Sequence, residues 1–279
     1  MNINLLNKDT YQKKILPMKD VKRRILYNPK YKFYKISMCI AGMNILQELK
    51  ETLLKNVMDN CKYPGIEFVV LNYNSNDELD KYIYKNLNEY IEKGILNYYY
   101  TPDTNQWSES VAKNLAHKIA KGEILCSLNG YNFTGENYAN LINYIFNEYG
   151  EDIVLQFFKN YDDGNFGKIC ISRNNFYRLG GYNENPSAEG YEDFDLILRA
   201  KALGLKHLNC SKVPKYLNTL ENDEDRRKIL NKRYWDKHKL HNSAKSITNI
   251  RKGILSANTG GFGIGYRIYK NFSSNYFLT

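Results

Sequence analysis

The sequence contains no run of 18 apolar residues, so no membrane-crossing helix is expected. Its first residues, MNINLLNKDTYQKK, lack the basic segment, apolar stretch and small-residue cleavage site of a secretory signal. A cytoplasmic protein is therefore the expectation. The five cysteines (Cys39, Cys61, Cys126, Cys170 and Cys210) are odd in number and form no CxxC pair. Three of them sit in apolar, strand-like runs, which points to reduced, buried thiols rather than disulfides. No GxGxxG follows the first strand-like run and no GxxxxGK[ST] occurs anywhere, which argues against dinucleotide and P-loop chemistry. Histidine is scarce, at four residues. His238 and His241 stand three apart on a helical stretch with no third ligand in view, so a surface pair is expected. His117, on an amphipathic helix, reads as structural or exposed, and His207, in a strand-like segment, as a core residue. No internal repeat or long low-complexity tract appears.

What is present suits one α/β domain of roughly 200–220 residues with additions at both ends. The chain has 279 residues, 43% of them hydrophobic, enough for a sizeable core. The net charge of +10 is carried mostly by lysine. Such a charge suits an anionic ligand or peripheral contact with a membrane surface. Lys, Asn, Ile and Tyr are all abundant, however, as an AT-rich coding sequence produces. The basic residues are spread along the chain and no nucleic-acid motif occurs, so no nucleic-acid partner is expected.

Residues 1–34 lack clear periodicity and read as an extension. From there apolar runs and helical spacing alternate. KISMCIA (35–41) and EFVVLNY (67–73) read as strands, separated by a helix with Leu46, Leu49, Leu53 and Val57 on one face. A helix near 77–92, a strand at 95–100 and a helix opened by Ser108 follow. Then come a strand at 123–129, a helix near 136–149, and strand-like runs at 152–157 and 167–172 turned by Asp162-Asp163-Gly164. Residues 221–240 read as an exposed helix, acidic first and basic afterwards. The Gly- and aromatic-rich end is either a flap or a docked tail. This rhythm predicts a doubly wound sheet, largely parallel, with the ligand beyond the strand C-termini. That rule selects Ala41-Gly42-Met43, Asn72 to Ser75 and Asn129-Gly130-Tyr131.

The densest chemical signal is GGYNENPSAEGYEDFDLILRAKALG (180–204). Glu192, Asp193 and Asp195 crowd a helix start, where the dipole favours carboxylates. Asp195 and Arg199 stand i,i+4 and suit a surface pair. A carboxylate at the rim of a cleft can also serve as a general base toward a hydroxyl.

Taken together, SMCIAGMN, EFVVLNYNSND, VAKNLAHKIAKGEILCSLNGYNFTG, GKICISRNNFYRLGGYNE and GYEDFDLILRAKALGL resemble a family 2-type glycosyltransferase of GT-A fold across residues 35–231. GYEDFD resembles the acidic segment of galactosyl- and N-acetylgalactosaminyl-transferases. The resemblance implies a single-domain, Rossmann-like, doubly wound mixed sheet, with core 35–220, an N-terminal extension 1–34 and a C-terminal helix and tail 221–279. It implies a hexosyl transfer, with inversion, from a nucleotide sugar (UDP-linked by preference) to a hydroxyl of a glycan, protein or small molecule. Ala41, Met43, Asn72 and Asn74 would hold the nucleoside. Lys113 and Asn114 would border the nucleotide, with Lys113 facing the diphosphate, and Asn129 and Tyr131 would lie at the donor. Asp193 would be the base, with Glu192 as acceptor binder or alternative base.

The departures are as informative. The family pattern near 129 has two aspartates that clamp Mn or Mg against the diphosphate. Here the positions read Asn129-Gly130-Tyr131, with the flank Asn132-Phe133-Thr134-Gly135 kept. Glu221 stands where the family often has a His ligand. Neutral oxygens bind hard cations poorly, so the metal set is unknown and transfer without a metal is chemically coherent. Lys113, Arg173, Arg226, Arg227 and the Tyr131 hydroxyl are the candidates to offset the phosphates. The other reading open at this point is a catalytically degenerate GT-A protein that binds nucleotide or sugar.

Overall fold

The computed structural model describes residues 30–159, 164–185, 190–220 and 244–279. The expected helix over 221–240, Glu221, Arg226, Arg227, His238, His241 and the Asp162-Asp163 turn lie outside the described residues, as do positions 1–29.

The architecture is a single α/β domain on one nine-stranded mixed sheet. In chain order its strands are β1 (Ile36–Gly42), β2 (Ile66–Tyr73), β3 (Leu96–Thr101), β4 (Ile124–Leu128), β5 (Ile153–Gln156), β6 (Ile169–Ser172), β7 (Lys206–Asn209), β8 (Arg267–Lys270) and β9 (Tyr276–Leu278). The helices are α1 (Leu46–Asn60), α2 (Leu79–Glu92), α3 (Glu109–Ile119), α4 (Tyr138–Tyr149), α5 (Arg173–Arg178) and α6 (Glu192–Ala202). The sheet order is β7-β5-β6-β4-β1-β2-β3-β8-β9.

The first four strands are parallel, each pair bridged by a helical crossover. Among the described residues β5 and β6 have no helix between them, and they pair antiparallel. Side chains alternate between two buried layers. Met38, Ile40, Phe68, Val70 and Cys126 pack under α1, α2 and α4. Cys39, Val69, Leu71, Leu125 and Ile171 pack against α3, α5 and α6. All five cysteines are free, and four are buried.

The end of the chain is docked. Phe262 and Ile268 enter the second layer. β8 adds to β3 antiparallel, and β9 to β8. Asn258 donates to the carbonyls of Gly180 and Tyr182, and Lys118 Nζ donates to those of Phe262 and Gly263, at 3.0 Å each. No helix among the described residues is long and apolar enough to cross a membrane.

Two features position the edge where the parallel strands end. The chain runs from β1 outward through β2 and β3, then returns to place β4 on the other side of β1. That reversal is the topological switch point, where open α/β sheets form a crevice at their C-terminal edge. The loop after β4 is then fixed by polar side chains of α1 at i, i+4 and i+8. Thr52 Oγ1 donates to Gly130 O at 2.6 Å, and Asn56 Nδ2 to Asn132 O at 2.8 Å. Asn56 Oδ1 accepts from Thr134 N, and Asn60 Nδ2 donates to Thr134 Oγ1. All three side chains are buried.

Candidate active site

Ala41 and Met43 at the end of β1 are half-buried against the second apolar layer. Ile45 lies where the ends of β1 and β4 converge: a Cβ on Gly42 would overlap it, and one on Gly130 would come within 3.1 Å of its Cδ1. Segments 41–43 and 129–131 therefore share one wall. Asn129 donates through Nδ2 to the Tyr131 hydroxyl at 2.7 Å.

α6 meets this wall through Gly167. A Cβ built there would sit 2.9 Å from Asp193 Oδ2 and 3.4 Å from Asn129 Nδ2. The Asp193 carboxylate and the Asn129 amide thus face each other across a residue that has no side chain. Gly167→Ala should push the carboxylate aside while the surrounding strands stay folded. A displacement of about 1 Å at a reacting centre lowers rate roughly 100-fold. Turnover and melting temperature measured on the same preparation check this expectation.

Lys113, on the inward face of α3, lies at the centre of a charge cluster. Its ammonium is 2.9 Å from Glu109 Oε1, 2.9 Å from Glu192 Oε1 and 3.0 Å from Asp193 Oδ1. The Lys113 side chain is 7% exposed, Glu192 4% and Asp193 14%. The expected role of Lys113 as a charge facing a diphosphate thus meets a different geometry, in which its ammonium is shared by three carboxylates. Burial raises the Asp193 carboxyl, the Lys113 charge lowers it and the Glu192 charge raises it, leaving it at about 6. Burial and the Glu192 charge bring Glu109 to about 7. Burial disfavours the Lys113 ammonium, but the three carboxylates outweigh it and hold it well above its usual range. Glu192 Oε2 is buried with no hydrogen-bond partner.

The remaining predicted residues are tied up within the fold. Asn72 Nδ2 donates to Asp80 and to the Tyr98 hydroxyl at 2.8 Å each, while its Oδ1 accepts from Ser75 N. Asn74 joins the β2 and β3 loops, donating to Thr104 O and accepting from the Tyr100 hydroxyl. Asn114 donates to Tyr182 O and Glu184 Oε1 and accepts from Tyr182 N, which orders the segment leading to α6.

Three expectations are corrected. Arg173 lies at the opposite end of β4, bonded to the carbonyls of Ala120 and Gly122, and cannot reach the crevice. Asp195 and Arg199 form a buried pair, not a surface one: both are 3% exposed, and Arg199 also donates to Leu179 O and Gly181 O. Ser108 precedes α3 but makes no side-chain cap. His117 is buried, stacked on Phe176, and burial lowers it to about 4. His207 bonds Gln156, and burial likewise lowers it to about 4. Trp107 packs edge-on against Tyr73.

Glu109 was not singled out by the sequence reading. Its i,i+4 spacing to Lys113 is the signal that could have found it.

A hard divalent cation does not fit the donors present. Asn129 and Tyr131 offer an amide and a phenol that already bond each other, and Asp193 is held by Lys113. Among the described residues no cluster of three or more His, Cys, Asp or Glu side chains is arranged to hold a metal ion.

No family model and no curated protein matches the chain. Solved structures do match. The mannosyltransferase PcManGT from Pyrobaculum calidifontis, in complex with GDP-Man and Mn2+, is similar with a TM-score of 0.53 at 17% identity. That match covers 71% of this chain and 63% of the other. S. aureus TarS 1-349 in complex with UDP gives 0.54 at 15% identity, over 64% and 58% of the two chains. The same protein with UDP-GlcNAc gives 0.51 at 17% identity, over 64% and 56%. The fold is that of the GT-A glycosyltransferases. At these identities the likeness concerns the GT-A fold alone, and this chain spans about three-fifths of the length of the structures it matches.

Proposed function

We propose that this chain is a family 2-type glycosyltransferase that moves a sugar from a nucleotide-sugar donor, UDP-linked by first preference, to an acceptor hydroxyl. The observation that carries the reading is the Asp193 carboxyl, pushed up to about 6 and set against Asn129 at the end of β4. A base of that strength is deprotonated at neutral pH and still takes a proton during attack. The GT-A neighbours with UDP, UDP-GlcNAc and GDP-Man support the choice of donor.

In this reading the acceptor oxygen bonds to the anomeric carbon as its proton passes to Asp193. The anomeric C–O bond breaks, and its electron pair leaves with the nucleoside diphosphate. Attack opposite the leaving group inverts the anomeric centre. Lys113 holds Asp193 in place and keeps part of its charge balanced until the proton arrives. Glu192 Oε2, unpaired but shut off from solvent in this state, binds the acceptor only as the entering hydroxyl opens the cluster.

Because the donors at 129–131 do not suit a hard cation, turnover should be the same in EDTA as in Mn²⁺. The test is release of nucleoside diphosphate across a panel of nucleotide sugars under both conditions. Loss of turnover in EDTA, restored by Mn²⁺, rejects metal independence. No release from any donor rejects the transferase.

A second reading has one observation in its favour. The two aspartates of the family pattern are replaced by Asn129-Gly130-Tyr131, whose amide and phenol bond each other, as in a binding module that has shed catalysis. It predicts nucleotide binding unaltered by Asp193→Asn and no turnover in either protein.

A further inference from the structure

On the α2 side of the sheet, in the layer opposite α6, the outer strands carry a second concavity. It is a cleft of about 340 Å³ between β3, the start of α2 and the turn after β8. Tyr98 and Tyr100 of β3, Tyr269 of β8, Phe272 and Ser273 of the turn, and Asp80 of α2 line it. The volume falls at the lower end of small-ligand pockets.

The rings form two groups along the cleft. Phe272 stacks on Tyr98 at 5.1 Å and meets Tyr84 edge-on at 5.4 Å. Tyr100 lies 6.3 Å from Tyr269, which lies 5.5 Å from Tyr276. Tyr84, Phe272 and Tyr276 are 62%, 41% and 52% exposed, so each group ends in solvent-exposed rings.

Phe272 occupies its place against backbone preference. Asn271 and Phe272 have φ of 47° and 63°, and Ser273 N bonds Lys270 O. Two positive φ values in such a turn suit Asn-Gly, and a bulky side chain in the second position is strained. The turn is also clamped: Asn271 N donates to Tyr98 O and Asn271 Oδ1 accepts from Tyr98 N. A strained, half-exposed aromatic at the mouth of a cleft is the kind of outlier from which a binding role is argued.

The chemistry of the lining selects the ligand. Among the described residues no Lys or Arg lines the cleft, which disfavours phosphates and other anions. Asp80 Oδ1 already accepts from Asn72 and from the Tyr98 hydroxyl, so the carboxylate of the cleft is engaged within the fold and offers a cation little free charge. That disfavours an organic cation. What remains is a set of ring faces beside phenol, carboxylate and serine oxygens, which suits a ring with apolar C–H faces and peripheral hydroxyls.

We infer that this cleft is a second carbohydrate-binding site, for a neutral pyranose unit of a glycan, separate from the crevice at Asp193. The full chain is applied to a printed array of neutral oligosaccharides, and the best binder is followed by saturation-transfer NMR. Choline and inorganic phosphate are run as competitors. Tyr269→Ala is expected to weaken binding roughly tenfold. Phe272→Gly separates binding from folding: it removes the ring and suits the positive φ, so affinity falls while the melting temperature holds or rises. Asp193→Asn leaves this binding unchanged, so a failure of the catalytic proposal is read independently of this one. Absence of any retained glycan, retention undiminished in both cleft variants, or displacement by choline or phosphate overturns the inference.

Discussion

Asp193→Asn is expected to lower the transfer rate about 1,000-fold, within the 10²–10⁴ range of general-base catalysis. The protein should remain folded, because the amide keeps the shape of the carboxylate. Its melting temperature should hold or rise, since one of three carboxylates around a single ammonium is removed. The pH profile distinguishes this effect from simple damage. The base acts only when deprotonated, and its carboxyl lies at about 6. Wild-type turnover should therefore climb as pH rises through 6 and be roughly tenfold lower at pH 5 than on the plateau. The residual rate of the variant should lack that step. Glu192→Gln provides the internal comparison. Should it cost more activity than Asp193→Asn, the base is Glu192 and the assignment reverses. Equal turnover in wild type and Asp193→Asn across pH 5–8 excludes a proton-transfer role for residue 193.

Much of the fold was legible because β1 to β4 are mostly apolar or aromatic runs, separated by stretches with helical spacing. The C-terminal ends on which the proposed function draws, 41–43, 72–75 and 129–131, were selected by the rule for strand C-termini alone. Contacts between residues distant in sequence were not legible. Lys113 looked like a charge for phosphate because Glu192 and Asp193, some eighty positions away, fold onto it. Arg173 looked available because nothing local shows that β6 runs antiparallel to β4 and delivers it to the far edge. Thr52, Asn56 and Asn60 resemble the solvent face of an amphipathic helix, yet they hold the loop after β4. RIYK is short with a basic residue at each end, and YFL is only three residues long, so neither announces itself. They form because β3 leaves an open edge for β8.

Lys113→Met should destabilise the fold by about 3–5 kcal/mol at pH 8, the usual result of removing one partner from a buried ionic group. For a chain of this size that is a fall in melting temperature on the order of 10 °C. Methionine retains the length of the side chain but leaves Glu109, Glu192 and Asp193 in one pocket without a counter-ion. The pH dependence has a definite sign. Asp193 and Glu109 are raised in the folded protein, from 3.8 to about 6 and from 4.5 to about 7. The folded state thus binds the extra protons, and these two groups cost stability as pH rises from about 4 to 7. Without the ammonium both carboxyls move further up and the cost extends to higher pH. Lys113 itself stays charged throughout this range, because its raised value lies above 10.5. The difference between wild type and variant should therefore be larger at pH 8 than at pH 5, as read from urea melts at the two values. A loss below about 1 kcal/mol at pH 8, or one identical at both pH values, refutes the charge-cluster account. Adding Asp193→Asn to Lys113→Met should recover part of the loss, with a coupling between the two sites of about 0.5–3 kcal/mol. Strictly additive losses would mean that the two side chains do not share the energy their 3.0 Å contact implies.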